Sequence, residues 1–319
     1  MYYSIRHVTA FRYDAPVRQR VIEVRMQPRS EGMQRCLSFR LRTEPRASIY
    51  AYSDTQGNWV HHFDIPNAHT ALTITAQALV ETAVPPASPA LPPALDPAAW
   101  ADLDRLTATD EYWDYLQPSR YARSTPLLEE LARALDVRRR ADPLSVLRET
   151  SQAIHDGFAF VPQSTTARSP IDDALSRRQG VCQDFAHIMI ALARDLGIPC
   201  RYVSGYLSHR GAEDRSATDA THAWTEALLP GLGWVGFDPT NALPAGERHI
   251  RVAVGRDYAD VPPSHGIYLG RAEEELTVSV QVTPATAPPG SNEVWTAPQW
   301  TGLGGAGVQG QRQQQSQGQ

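Results

Sequence analysis

Three residues in this chain have the chemistry of a nucleophile, a base and an orienting acid, and they follow in the order Cys182, His222, Asp238. Cys182 lies in "RQGVCQDFAHIMIALARDLGIPC", just after a glycine and at the head of an apolar helical run. A thiol attacks only as thiolate, and a helix N-terminus favours that anion through its dipole and unpaired backbone N–H groups. Most buried cysteines are small inert hydrophobes, so position alone does not assign catalysis. His222 opens "HAWTEALLPGLGWVGFDPTN", forty residues after the cysteine, and Asp238 stands near its end. The segment reads as a hairpin with "PGLG" at its turn. If its strands place both residues on one face, the imidazole lies beside the carboxylate. The carboxylate would then fix the ring tautomer, and the other ring nitrogen would take the thiol proton.

The neighbouring residues carry two readings each. Trp224 and Glu226 share strand parity with His222, as Trp234 and Gly236 do with Asp238, so the two tryptophans wall the site or belong to the core. His187 is five residues after Cys182, a poor angular match on a helix, and is assigned a structural role. Cys200 follows Pro199 at a strand start and is expected to be a buried, inert thiol. Acyl transfer also needs donors for a tetrahedral oxyanion. The backbone N–H of Cys182 is one, and Gln163, in the segment before the helix, is a side-chain candidate for the second or a solvated loop residue.

The elements that must position these groups divide by period. From Tyr2 to about Val84, segments such as "YYSIRHVTAFRY", "CLSFRLRT" and "ALTITAQALVE" alternate apolar with polar residues, predicting five to seven antiparallel strands in a β-sandwich or curved sheet. The prolines of "VPPASPALPPALDP", residues 84–97, remove backbone donors and mark the domain boundary. Helical periodicity follows from Trp100, with Asp142 and Pro143 opening one helix and Gly197 and Pro199 closing the Cys182 helix. The expected organisation is a β-domain over 1–88, a proline-rich linker over 89–99, an α+β core over 100–285 with C-terminal strands such as "LTVSVQVT", and a disordered Gly- and Gln-rich tail over 286–319.

Three blocks, "GVCQDFAHIMIALARDLGIPCRYVSGYL", "HAWTEALLPGLGWVGFDPTN" and "HIRVAVGRDYADVPPSHG", resemble the bacterial transglutaminase-like proteins, a branch of the papain-like cysteine hydrolase and acyltransferase fold. The opening "YSIRHVTAFRYDAPV" resembles the β-domain that precedes that core, so the resemblance covers roughly residues 1–285. It implies Cys182 as nucleophile, His222 as general base and acid, and Asp238 as orienting carboxylate. The activity it implies is hydrolysis of a peptide or protein amide through a thioester. The alternatives are transfer of the acyl group to an amine, as in a transglutaminase, or a non-catalytic binding module that has kept all three residues.

Composition sets outer limits. Three cysteines, Cys36, Cys182 and Cys200, make an odd count that argues against a disulfide framework. No apolar run approaches the roughly 20 residues of a spanning helix, and no leader pattern opens the chain, so a soluble, cytoplasmic protein is expected. Residues 1–50 carry ten arginines against four carboxylates, read as solvated outward side chains rather than a nucleic-acid surface. All thirty basic residues of the chain are arginine. An acyl-transferring enzyme of this composition could not cross-link itself through its own lysines. His61, His62 and His69 lack ligand partners at suitable spacing, and the acidic loop "GAEDRSATDA" lacks a calcium-loop pattern, so no metal and no cofactor are expected.

Overall fold

The computed structural model describes residues 1–83, 91–211, 214–216 and 220–285. The expected tail over 286–319 and part of the proline segment lie outside the described residues.

The first strand organises the N-terminal domain. Strand β1 (Tyr2–Val24) is followed by β2 (Gln34–Glu44), β3 (Tyr50–Ser53), β4 (Trp59–Ile65) and β5 (His69–Thr82). Its first half, up to Arg12, pairs with β5, and Arg20 to Val24 of its second half pair with β4. The register breaks between Arg12 and Val17, around Pro16, which has no N–H to give a ladder. One strand therefore serves two sheets, and a core of Phe11, Val17, Ile22, Phe63, Leu72 and Leu276 fills the space between them. The arrangement is sandwich-like, as the alternating pattern predicts. Arg20 corrects the expectation of solvated arginines. It is 1% exposed, lies 4.2 Å over the Phe11 ring and pairs with Glu274 at 2.8 Å.

The core domain follows with α1 (Ala99–Leu106), α2 (Pro126–Ala134), α3 (Pro143–Gly157), β6 (Ala159–Phe160), α4 (Ile171–Arg177), β7 (Gln179–Gly180) and α5 (Cys182–Asp195). Asp142 caps α3 by accepting from the N–H groups of Leu144 and Ser145, with Pro143 in the first turn as the sequence predicts. Next come β8 (Cys200–Leu207), β9 (His222–Leu229), β10 (Gly233–Asp238), β11 (Leu243–Pro244) and β12 (His249–Gly255). These form an antiparallel sheet in the order β11-β10-β9-β8-β12. Helix α5 packs on β8 and β9 and is buried on nearly every side, which explains its almost continuous apolar sequence. Near its end, the buried Arg194 guanidinium donates to the carbonyls of Tyr115, Gln117, Cys200 and Arg256 and ties the helix to three loops.

The C-terminal strands depart from the expected division. Strands β13 (Ser264–Leu269) and β14 (Glu274–Ala285) leave the core and pair antiparallel with β1, with Tyr2 opposite Ala285 and Tyr13 opposite Glu274. Strand β5 occupies only one edge of β1, and the alternating "LTVSVQV" pattern of β14 fits the other. The two sheets thus read β2-β5-β1-β14 and β3-β4-β1-β13. Tyr3, Ile5, Val80 and Val280 of this domain join the same hydrophobic cluster as Phe185 and Tyr206 of the core. Side-chain amides extend the contact: Gln34 bonds both the N–H and the C=O of Arg251, and Asn58 does the same for Val254, all at 2.8–2.9 Å. They satisfy backbone groups along the free edge of β12.

Because Val280 is 1% exposed within this shared cluster, Val280→Asp would bury an unpaired carboxylate. A loss of at least about 3 kcal/mol is expected. A urea-unfolding midpoint equal to the wild type would show that β14 is not docked as described.

Candidate active site

The helix start that carries Cys182 is built by its neighbours. Asp184, the third residue of α5, turns back to accept from the Val181 N–H at 2.8 Å and also accepts from the Thr165 hydroxyl. Burial raises its pKa to about 6. A side chain at position 180 would bring its Cβ within 2.8 Å of the Asp184 carboxylate, so the glycine preceding the thiol is a steric requirement of this cap. The first helical bonds come from the N–H groups of Asp184 and Phe185 to the Val181 carbonyl. The amides of Cys182 and Gln183 precede them and have no intrahelical acceptor. Cys182 is half-buried. Burial pushes Cys200 up to about 12 and Cys36 up to about 11, which leaves both as poor nucleophiles at neutral pH.

His222 and Asp238 meet as the hairpin reading requires. Strands β9 and β10 pair with Gly236 opposite Glu226 and Phe237 opposite Thr225, which sets Asp238 on the face of Trp224 and His222. His222 Nε2 lies 2.8 Å from Asp238 Oδ2, and both residues are buried. A carboxylate can only accept, so Nε2 carries the proton. Nδ1 makes no hydrogen bond within the described protein, and Cys182 lines the same cavity as the ring. Burial alone would lower the His222 pKa. The charge and hydrogen bond of Asp238, followed by the Cys182 sulfur, outweigh it and raise the value to about 10. Burial would likewise raise Asp238, but the two imidazoles beside it hold the carboxyl well below the usual range.

The second imidazole is a residue that sequence reasoning missed. His249, at the start of β12, places Nε2 3.1 Å from the same Asp238 oxygen. Its Nδ1 accepts from the Gly246 N–H, so Nε2 must be the donor. The Asn241 side chain adds a third donor to Oδ2 at 2.8 Å, while the N–H groups of Thr240 and Asn241 donate to Oδ1. The local signal was an Asx-type turn in "DPTN"; nothing local marks His249. His222, Asp238 and His249 also group closely enough to be considered as metal ligands. The proton on His249 Nε2 and the hydrogen bonds converging on one carboxylate oxygen fit a proton-holding cluster rather than a metal set, because a metal needs free lone pairs.

The thiol and the His222 ring open into a cavity of about 80 Å³, which Tyr202 also lines. Burial keeps the Tyr202 pKa well above its ordinary value, so its phenol stays protonated and can donate. The remaining candidates divide. Trp224 is fully buried, stacks on His222 with ring centroids 6.0 Å apart and meets the His249 ring edge-on; it supports the rings rather than walling the cavity. Trp234 is not brought to the site. It lies four residues along β10 from Asp238, about 13 Å at strand rise, packed on Tyr115 and under the Arg201 guanidinium. Gln163 is exposed, at φ 64° in the turn after β6, and does not line the cavity; Phe160 of β6 does. His187 is structural: it accepts from the Tyr258 N–H and stacks on Tyr121.

A helix-borne thiol packed on an antiparallel sheet that supplies imidazole and carboxylate, behind a β-domain, defines a class. The chain belongs to the transglutaminase-like superfamily, whose family model matches residues 130–239, while residues 3–81 match the bacterial transglutaminase-like N-terminal region. An uncharacterised protein of Mycobacterium leprae is 34% identical over 280 residues, covering 87% of this chain and 96% of that one. A protein-glutamine gamma-glutamyltransferase of Pseudomonas aeruginosa is 32% identical over 128 residues, 37% of this chain and 18% of that one. A solved structure from Cytophaga hutchinsonii, described as "a Putative Cysteine Protease", shares the fold with a TM-score of 0.66 at 23% identity, covering 91% of this chain and 93% of that one. No helix among the described residues is long and apolar enough to cross a membrane.

Iodoacetamide at neutral pH is expected to label Cys182 ahead of Cys36 and Cys200, and mass mapping that finds Cys200 labelled first would overturn the ordering. The His222 ring adds a second check. Its folded pKa is raised, so its contribution to stability is complete below the unfolded value of 6.5 and is lost as pH rises through about 10. The stability advantage of the wild type over His222→Gln should therefore shrink between pH 6 and pH 10.5; an advantage that grew over this range would contradict the imidazolium assignment.

Proposed function

We propose that this protein is a thiol-dependent amide-bond hydrolase acting on a peptide or protein substrate through a Cys182–His222–Asp238 triad. The observation that carries the reading is the His222 ring, with Nε2 fixed by Asp238 and Nδ1 left for the thiol at the start of α5. The thiolate of Cys182 attacks the amide carbonyl and forms the C–S bond. The oxyanion develops against the free amides of the α5 start, with the Tyr202 phenol available beside them. Collapse of the tetrahedral species breaks the C–N bond as His222 gives its proton to the departing amine. Water then attacks the thioester, His222 takes its proton, and the acid leaves as the thiol is restored. Asp238 holds the tautomer and balances the imidazolium.

One observation favours a second reading, capture of the same thioester by a primary amine: the likeness over 128 residues to a protein named for glutamyl transfer. The two differ only in which nucleophile reaches the thioester.

Cys182→Ala and His222→Ala are each expected to abolish turnover, with the double variant hardly worse than either, because residues acting as one unit are non-additive. Asp238→Asn should lose a factor on the order of 10²–10⁴. Screening a peptide-amide library with a fluorescent primary amine present reads out both products together. Free acid in excess supports hydrolysis, amine adduct in excess supports transfer, and full activity in folded His222→Ala would remove the triad.

A further inference from the structure

The thiol cavity is not built by the core alone. One wall comes from the N-terminal sheet, where His7 and Thr9 of β1 stand beside Leu276 and Val278 of β14. The register explains the grouping. Thr9 lies opposite Val278 and Phe11 opposite Leu276, so odd residues of β1 and even residues of β14 share one face. Along β1 that face reads Tyr3, Ile5, His7, Thr9, Phe11, Tyr13, all buried. Its two ends are apolar and pack into the two hydrophobic cores. The polar pair falls between them, where the face passes the thiol.

A buried polar pair costs free energy unless it is hydrogen-bonded, and this one is linked into the core. His7 Nδ1 lies 2.9 Å from the Tyr206 hydroxyl on β8, and His7 Nε2 lies 3.1 Å from Thr9 Oγ1. Burial lowers the His7 pKa to about 4, so the ring is neutral, with one donating and one accepting nitrogen. The Thr9 hydroxyl is thereby held in place with bonding capacity left over for the cavity. Ser204 of β8 and Ser264 of β13 add hydroxyls to the lining. Among the described residues, no Asp, Glu or Arg lines the cavity, and the chain has no lysine.

We propose that this wall is a specificity site in which Thr9, held by His7, receives a polar, non-cationic side chain of the acyl group attacked by Cys182. The proposal rests on the thioester chemistry given above and adds the class of substrate. Among the described lining residues the charged group is the His222 imidazolium, so a cationic side chain there would meet a like charge and no carboxylate. The N-terminal domain is on this account part of the active site.

Acetyl-amino-acid chloromethyl ketones test the site directly, because they alkylate the thiol after seating their side chain. The rate constants for Cys182 alkylation are compared for asparagine, its apolar isostere leucine, and the cationic lysine probe. The wild type should favour asparagine over leucine by about tenfold, the worth of one buried hydrogen bond, and over the lysine probe by about 100-fold or more. In Thr9→Val the asparagine-to-leucine ratio should fall towards one, and Thr9→Ser should restore it. An unchanged ratio in folded Thr9→Val overturns the proposal. So does a lysine probe that matches asparagine in the wild type, a comparison that needs no variant. Labelling by iodoacetamide separates the two levels: if it proceeds while the ranking fails, only the specificity site falls. If neither iodoacetamide nor any ketone labels Cys182, the hydrolase reading falls and this inference with it.

Discussion

The core domain is arranged around one fully buried carboxylate. Stripped of water, an ionised Asp238 would be prohibitively costly, and the structure offsets that cost with five donors on its two oxygens: two imidazoles, one amide side chain and two backbone N–H groups. The donors come from β9, from the turn after β10 and from β12. Satisfying this single charge therefore fixes how three segments meet. The same requirement leaves one imidazole with a committed nitrogen and an uncommitted one, which is the asymmetry a general base needs. Stability and chemistry here depend on the same hydrogen bonds, so the carboxylate cannot be neutralised without disturbing both.

Most of the candidate site's geometry was legible because it is local. Cys182 sits at a helix start marked by a glycine and an apolar run, and His222 and Asp238 share one hairpin, so period and parity suffice to bring them together. Parity also has a limit that Trp234 makes plain. It reports the face of a strand and not the distance along it, and four residues of β10 carry that ring away from the thiol. Gln163 fails for a related reason, since a turn residue's direction depends on backbone angles that no pattern encodes.

What remained hidden is non-local. His249 reaches Asp238 because β12 pairs with β8, forty-odd residues upstream, and a lone histidine on an apolar strand carries no signal of that partner. Strand β14 was recognisable as a strand, but alternation identifies a buried face without naming what buries it, so its place beside β1 could not be read. His7 and Thr9 lie in a segment read only as an alternating strand, where they interrupt an apolar stripe. Their meaning appears only when the sheet is laid against the core and the interruption falls at the thiol.

The pairing of β1 with β14 also has a consequence in time. During synthesis β1 emerges first and must wait for a partner some 260 residues later. At about 5–20 residues per second the interval is roughly 10–50 s. Cys182, His222 and Asp238 have all left the ribosome before that strand arrives, yet the chamber over the thiol lacks the part of its wall that Leu276 and Val278 supply. A nascent chain therefore carries a complete set of reactive groups without a complete place to hold a substrate. A chain cut short before β14 would lack that part of the wall however completely its core had folded.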